Sequence, residues 1–286
     1  MPGHQVSEAK EPARKTIATP RARRVASELG IDVNSLQGTG RGRRVRERDV
    51  RQSGQRVIPI TPLRRTIAAR LVESRRETVP VTLTTTVDAT NLVRLREQYR
   101  TTAPVPSYQD LLVKLSAIAL QKHPLLAGQW TDQGIRLSDA IHIGIAVDTE
   151  RGLYVPVVRD VISLGLRELA ARSKELIDLA KQGRLAAADT RGGCFTVSNL
   201  GSYGIDAFTP VINYPECAVL GVGRIAKRPA VIGDAIVPRD QVILSLTFDH
   251  RIVDGAGAAR FLQTLSQAIE DPTSWLTIRE DKTDEK

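Results

Sequence analysis

Aromatic residues are scarce. Four Phe, five Tyr and two Trp make up 4% of the 286 residues. A core must therefore be built mainly from Val, Leu, Ile and Ala. Cysteine is scarcer still. Cys194 and Cys217 are too few for a disulfide framework or a zinc site, and they fit a reducing, cytoplasmic setting. No metal is implied. No apolar run approaches the roughly 20 residues of a membrane-spanning helix, so no membrane partner is expected. The first residues, MPGHQVSEAKEPARK, lack the apolar segment of a secretory signal. No glycine-rich phosphate loop stands out either. GVGRIAKR (221–228) is flanked by strand-like runs, so its glycines read as packing positions.

Charge is plentiful but uneven. The net charge is +9, yet residues 1–56 hold 13 Lys and Arg against six Asp and Glu, and the remainder holds 28 against 26. The basic character thus belongs to the N-terminal fifth, and an acidic partner should meet it there. That segment has no aromatic residue for base stacking, and its arginines alternate with Glu28, Glu47 and Asp49. Both features favour a protein-facing patch over nucleic acid.

Residues 1–18, polar and containing Pro2 and Pro12, predict a disordered arm. Residues 19–52 predict a miniature domain of two short helices around the loop GTGRGRR. Thr19 and Pro20 suit a helix start and Gly30 its end. Its core would hold Val25, Leu29, Ile31, Val33, Leu36, Val45 and Val50, too little for more than marginal stability. Residues 53–57 read as a linker, 58–276 as one large domain and 277–286 as a charged tail.

Within the large domain, TPLRRTIAARLVESRRE predicts an amphipathic helix with Leu63, Ile67, Ala68 and Leu71 on one side. VTLTTTVD alternates as a strand does. ATNLVRLREQYRT and YQDLLVKLSAIALQKH predict helices, the second buried. IHIGIAVDT and YVPVVRDV predict strands, and LRELAARSKELIDLAKQG an amphipathic helix closed by Gly183. CFTVSNLG, CAVLGVGRI, PAVIG and QVILSLTFD predict four more strands before a last helix, GAGAARFLQTLSQAIED. Helices bracketing a strand-rich middle define an α/β class with a large, partly antiparallel sheet.

The stretch SLTFDHRIVDGAGAARFL (245–262) places one of only four histidines between a strand and a helix. An imidazole on such a tight loop suits proton transfer near neutral pH. By spacing alone His250 reads equally as a surface or core-edge histidine. Asp254 reads as the N-cap of the helix that follows.

D-H-R-I-V-D-G at 249–255 resembles the DHRxxDG signature of dihydrolipoyl acyltransferases, the core components of 2-oxo acid dehydrogenase complexes. It also resembles the HxxxD motif of chloramphenicol acetyltransferase. RRTIAARLVESRRETVPVTLTTTVD (64–88), GLYVPVVRDV (152–161) and CFTVSNLGSYGIDAFTPVINYPECAVLGVGRI (194–225) resemble that family's blocks, in its order. Residues 19–51 resemble its peripheral subunit-binding domain.

The resemblance implies a chloramphenicol-acetyltransferase-like, CoA-dependent acyltransferase domain with a mixed sheet, preceded by a small two-helix subunit-binding domain. It implies transfer of an acyl group between a dihydrolipoyl thioester and CoA, with CoA as a substrate. His250 would be the general base and Ser198 the hydroxyl that stabilises the oxyanion, with Thr196 a weaker candidate. Asp254 matches the motif's second acid, either as a shaping cap or as a triad acid. Arg251 would be architectural, and Asn199 and Gly201 would shape the Ser198 turn. The site would lie between subunits of a homotrimer, so His250 and Ser198 would come from different chains. Arg23, Arg41 and Arg44 match the cluster that docks dihydrolipoyl dehydrogenase or the 2-oxo acid decarboxylase component. Ser27 replaces a residue that is often basic, for which Arg21 and Arg24 can substitute. Arg43 replaces a glycine, which strains the turn.

Nothing upstream of residue 19 reads as a lipoyl domain, so the lipoyl group is expected from another domain or chain. The chain is then either a truncated piece or, as Met1 slightly favours, a natural short form. The ending WLTIREDKTDEK is charged where the family is often apolar, so assembly beyond the trimer is not implied. Two alternatives remain. One is a non-catalytic docking subunit of such a complex. The other is a free-standing CoA-dependent acetyltransferase.

Overall fold

The computed structural model describes residues 16–53, 58–101 and 103–277. The chain divides into two compact units, Met1–Ile60 and Thr61–Lys286.

In the first unit, α1 (Pro20–Leu29) starts at an N-cap where Thr19 Oγ1 accepts the Ala22 N–H (3.2 Å). It ends at Gly30. Helix α2 (Glu47–Ser53) packs against it. Ala22, Val25, Ala26, Val45 and Val50 form the core, with Ile31, Val33 and Leu36 against its edge. Leu29, expected inside, is half exposed. It is the helix's last residue, and the stripe through Ala22, Val25 and Ala26 already fills the contact. The expected arm also ends sooner than residue 18, because Val45 donates to the Ile17 carbonyl and Thr19 donates to that of Val45. Residues 1–15 of the arm, 54–57 of the linker and 278–286 of the tail lie outside the described residues.

The second unit runs α3 (Pro62–Glu77), β1 (Pro80–Asp88), α4 (Thr90–Gln98), α5 (Tyr108–Lys122), β2 (Gln129–Thr131) and β3 (Gly134–Arg136). It continues with β4 (Ile143–Ile145), β5 (Val147–Thr149), β6 (Gly152–Tyr154), β7 (Val157–Val158), α6 (Leu166–Gln182) and β8 (Phe195–Asn199). The last elements are β9 (Ala218–Val222), β10 (Ala226–Ile232), β11 (Ala235–Asp249), α7 (Gly255–Glu270) and α8 (Pro272–Thr277). A seven-stranded sheet has the order β1-β11-β9-β8-β4-β7, with β10 also on β11. β8 runs parallel to β4 and β9, and the other pairings are antiparallel. The class is α/β with a mixed sheet, as the sequence predicts.

Strand alternation sorts the two faces of the sheet. Val242, Leu244, Leu246 and Phe248 of β11, with Phe195 and Val197 of β8, enter a core closed by α5 and α7. Phe195 meets Phe261 of α7 at 5.8 Å between ring centroids. Helix α5 is buried on every side from Asp110 to Leu120. Even Lys114 is enclosed, and its ammonium donates to the carbonyls of Val161 (3.0 Å), Ile162 (2.9 Å) and Leu164 (2.6 Å). The other face carries hydroxyls. Thr82 and Thr247 share a hydrogen bond (2.8 Å), and Thr84 and Ser245 a longer one (3.4 Å).

Three predicted elements differ. In YVPVVRDV, Tyr154 ends β6 and only Val157–Val158 form a further strand, β7. IHIGIAVDT divides into β4 and β5, because Ala146 donates to Val197 while Ile145 donates to Pro156. The residues of β5 then pair with β6 instead of the main sheet. Helix α3 buries only Ser74, and its predicted inner residue Leu71 is exposed. The β2–β3 hairpin gave no sequence signal, being two three-residue strands.

Candidate active site

His250 stands where β11 ends. The strand is held to β1 over nine paired positions, Pro80 to Asp88, and the ladder closes with His250 N–H donating to the Val79 carbonyl (2.9 Å). The turn is built around buried Asp249. Its Oδ1 accepts the Val79 N–H (3.1 Å) and the Arg251 N–H (3.1 Å), and its Oδ2 accepts Arg251 Nη2 (2.7 Å). Burial pushes the Asp249 carboxyl up, but the bonds from Arg251 and Val79 outweigh it, and the net shift is downward. Arg251 Nη2 also donates to the Glu77 carbonyl, and its guanidinium lies 5.0 Å from the Trp130 ring centroid. Arg251 thus ties the histidine turn to α3 and to the β2–β3 hairpin. The His250 ring is exposed and lies 5.8 Å from that of Phe248.

Asp254 caps α7. Its Oδ1 accepts the Gly257 N–H at 2.8 Å, so the turn runs directly into a helix of 16 residues.

Ser198 is half-buried on β8, paired with Gly221 of β9. No hydrogen bond to its hydroxyl occurs among the described residues. Just beyond it, Asn199 Oδ1 accepts the Gly201 N–H (2.8 Å), which turns the chain off the strand. Thr196 lies two residues earlier, hence on the same side of β8. Its hydroxyl is committed to Glu216 Oε2 (2.6 Å).

One protomer does not bring Ser198 and His250 together. Ser198 is level with Gly221 of β9 and Ser245 of β11, and His250 lies five residues further on. At ~3.3 Å per residue and ~4.8 Å per strand, the two are on the order of 20 Å apart.

In the small unit, Arg23, Arg41 and Arg44 are exposed and form no ion pair among the described residues; the same holds for Arg43 and Arg46. Arg21 pairs instead with Glu47 (2.5 Å) and Arg24 with Glu28 (3.8 Å), so the two proposed substitutes are engaged within the module. Arg43 does sit in a strained turn, at φ 59°.

Sequence reasoning missed Trp130, which meets Arg251 only through tertiary folding. It also missed Glu216, although an acid opening the apolar run CAVLGV was a signal.

The second unit is thus an α/β unit with a mixed sheet that carries an exposed imidazole, His250, where β11 ends and a half-buried hydroxyl, Ser198, on β8. The chain belongs to the family described as 2-oxoacid dehydrogenases acyltransferase (catalytic domain), which matches residues 52–277; residues 16–51 match the e3 binding domain. It is 36% identical over 276 residues to the Bacillus subtilis dihydrolipoyllysine-residue acetyltransferase component of the acetoin cleaving system, covering 90% of this chain and 69% of that one. It is also 36% identical, over 223 residues, to an Arabidopsis thaliana mitochondrial dihydrolipoyllysine-residue succinyltransferase component of a 2-oxoglutarate dehydrogenase complex, covering 76% and 48%. Among solved structures, Azotobacter vinelandii dihydrolipoamide acetyltransferase superposes with a TM-score of 0.76 at 36% identity, covering 78% of this chain and 94% of that one.

Proposed function

We propose that the protein transfers an acyl group between a dihydrolipoyl thioester and CoA, with His250 and Ser198 of neighbouring protomers forming each site. His250 takes the proton from the attacking thiol. The thiolate adds to the thioester carbonyl, a carbon–sulfur bond forms, and the carbonyl electrons move to oxygen. Ser198 donates its hydroxyl proton in a hydrogen bond to that oxyanion. Collapse expels the other sulfur, which takes the proton back from the imidazolium. A thiol of ordinary pKa near 8.5 is mostly protonated at pH 7, so the base matters.

The observation that carries this reading is the pair of groups kept on the order of 20 Å apart in one chain. Ser198 has an uncommitted hydroxyl and His250 an exposed ring on a rigid turn, and a trimer brings one chain's serine to its neighbour's histidine. Further support comes from the Azotobacter vinelandii enzyme. A study of its catalytic mechanism concerns a serine, a histidine and an asparagine, spaced in sequence as Ser198, His250 and Asp254 are here. Asp254 acts here as the cap that sets the turn. The acetyl and succinyl relatives are equally identical to this chain, so identity does not choose the acyl group. The small unit docks dihydrolipoyl dehydrogenase or the decarboxylase component through Arg23, Arg41 and Arg44, whose forks suit carboxylates. The lipoyl group arrives from another domain or chain.

The test is complementation, with a CoA thioester and dihydrolipoamide as substrates. His250→Ala should lose about 10²–10⁴-fold in rate and Ser198→Ala about 10²–10³-fold. Co-expressing the two variants should restore about a quarter of the wild-type sites, because a head-to-tail trimer pairs each histidine with a neighbour's serine. Full activity of His250→Ala would end the general-base reading, no transfer by either the wild type or the variant would end the enzymatic one, and failure to complement would end the shared-site reading.

A further inference from the structure

Glu216 is the most buried carboxyl that this chemistry leaves unused. It is 3% exposed, at the entrance to β9. Its Oε2 accepts the Thr196 hydroxyl (2.6 Å) and its Oε1 the Asn213 side-chain amide (2.8 Å). The packing is close. A methyl group on Gly193 would come within 2.7 Å of Oε1. A cavity of about 310 Å³ opens beside it, and the ionisable groups lining it are Arg70 and Glu73 of α3, Arg191 before β8, and Tyr214. Neither arginine forms an ion pair with Glu216 among the described residues. Cys194 faces it from the start of β8, with a thiol raised by burial and, to a lesser degree, by the Glu216 charge.

The position is pivotal. Thr196 and Ser198 project from the same side of β8, two residues or roughly 7 Å apart. On the other side of Glu216, the next residue, Cys217, accepts the Asp249 N–H (2.9 Å) at the base of the histidine turn. The Glu216 carboxyl therefore holds the strand bearing Ser198, and the backbone of the next residue holds the base of the histidine turn.

We propose that Glu216 is a positioning residue that holds β8 through Thr196 and must be uncharged for Ser198 to stabilise the oxyanion. The proposal rests on the reading of Ser198 given above. An uncharged carboxyl keeps both bonds, because Thr196 Oγ1 can accept as readily as donate. A carboxylate keeps them too, but it sets a second negative charge within roughly 10 Å of the developing oxyanion, in a partly dry interior. At that range the repulsion is worth on the order of tenfold or more in rate. Burial raises the carboxyl to about 7, against the smaller downward pull of Thr196 and Asn213, so the change of charge falls in the working range.

The experiment compares wild type with Glu216→Gln in the assembled protein, measuring kcat from pH 6 to pH 9. The introduced amide would mimic the uncharged acid, accepting from Asn213 and donating to Thr196. The ratio of the two rates cancels the ionisations that the two proteins share. The ratio of wild type to variant should fall about tenfold as pH rises through about 7. Asn213→Ala, which removes a bond that favours the carboxylate, should move that fall to higher pH; plain structural damage would not. A ratio flat with pH, or a fall unmoved by Asn213→Ala, overturns the proposal. Ser198→Ala in the same assay separates the two ideas. If it slows the reaction while the ratio stays flat, the serine reading stands and this inference falls. If it changes nothing, the serine reading falls first and takes this inference with it.

Discussion

Replacing Arg43 with glycine should stabilise the small N-terminal unit. Arg43 adopts φ 59°, in the left-handed region. There a side chain crowds the following carbonyl, at ~1–2 kcal/mol per residue. Glycine removes that strain but adds unfolded-state freedom worth ~0.5–1 kcal/mol. The net gain is roughly 0.5–1 kcal/mol. Little opposes it in the folded state, because the Arg43 side chain is exposed and forms no ion pair among the described residues. The effect is large for so small a unit. At ~2.1 cal/mol/K per residue, a module matched over residues 16–51 unfolds with an entropy of about 75 cal/mol/K. The midpoint should then rise by roughly 7–13 °C. Calorimetry of the whole chain would read it as a shift of one transition, and amide exchange at Val25 and Val50 would assign that transition to the module. Gly42→Ala is the control. At φ 69°, with open space around it, the added methyl group meets only backbone strain and should lower the midpoint. A midpoint unchanged or lowered by Arg43→Gly, beside a lowered one for Gly42→Ala, would refute the argument.

Asp254→Ala should cost about 1 kcal/mol through loss of the α7 cap, whereas Asp254→Asn should keep the bond to Gly257 and most of the stability. Urea titration checks this, and a rate loss in Asp254→Asn far beyond its stability loss would reveal a triad acid. Glu216 should make stability fall with pH. Its folded value of about 7 lies above the ordinary value of 4.5, so its contribution is complete below about 4.5 and gone above about 7. Relative to Glu216→Gln the fall should be ~3 kcal/mol, measured by denaturant titration across that range. Lys114→Met should cost roughly 3 kcal/mol or more, since the carbonyls of Val161, Ile162 and Leu164 lose a buried donor; a neutral result by thermal melt would refute its role as a brace.

Local pattern made much of the fold legible. The alternation of QVILSLTFD carried through to β11, the run from Tyr108 to Lys122 formed the central helix, and Thr19, Pro20 and Gly30 bounded α1. Short strands were less legible. β2 and β3 have three residues each, too few for a period to show, and the division of β4 from β5 depends on which neighbour accepts each N–H. Leu71 looked like a core residue because a helical period cannot say whether anything lies opposite.

His250 and Ser198 could be named in the sequence because DHRIVDG and the CFTVSNLG block resemble a family's motifs. Spacing alone left His250 open and marked Asp254 as a helix cap, which sits at a fixed step from the helix start. The distance from Ser198 to His250 could not be read there. Strand order and register decide that Ser198 is level with Ser245 and not with His250, and so decide that one protomer cannot join them. Burial belongs to the same class. Nothing in NYPECAV says that Glu216 is buried between Thr196 and Asn213 with no ion pair among the described residues, because the cost of a buried charge is set by what the whole fold packs around it.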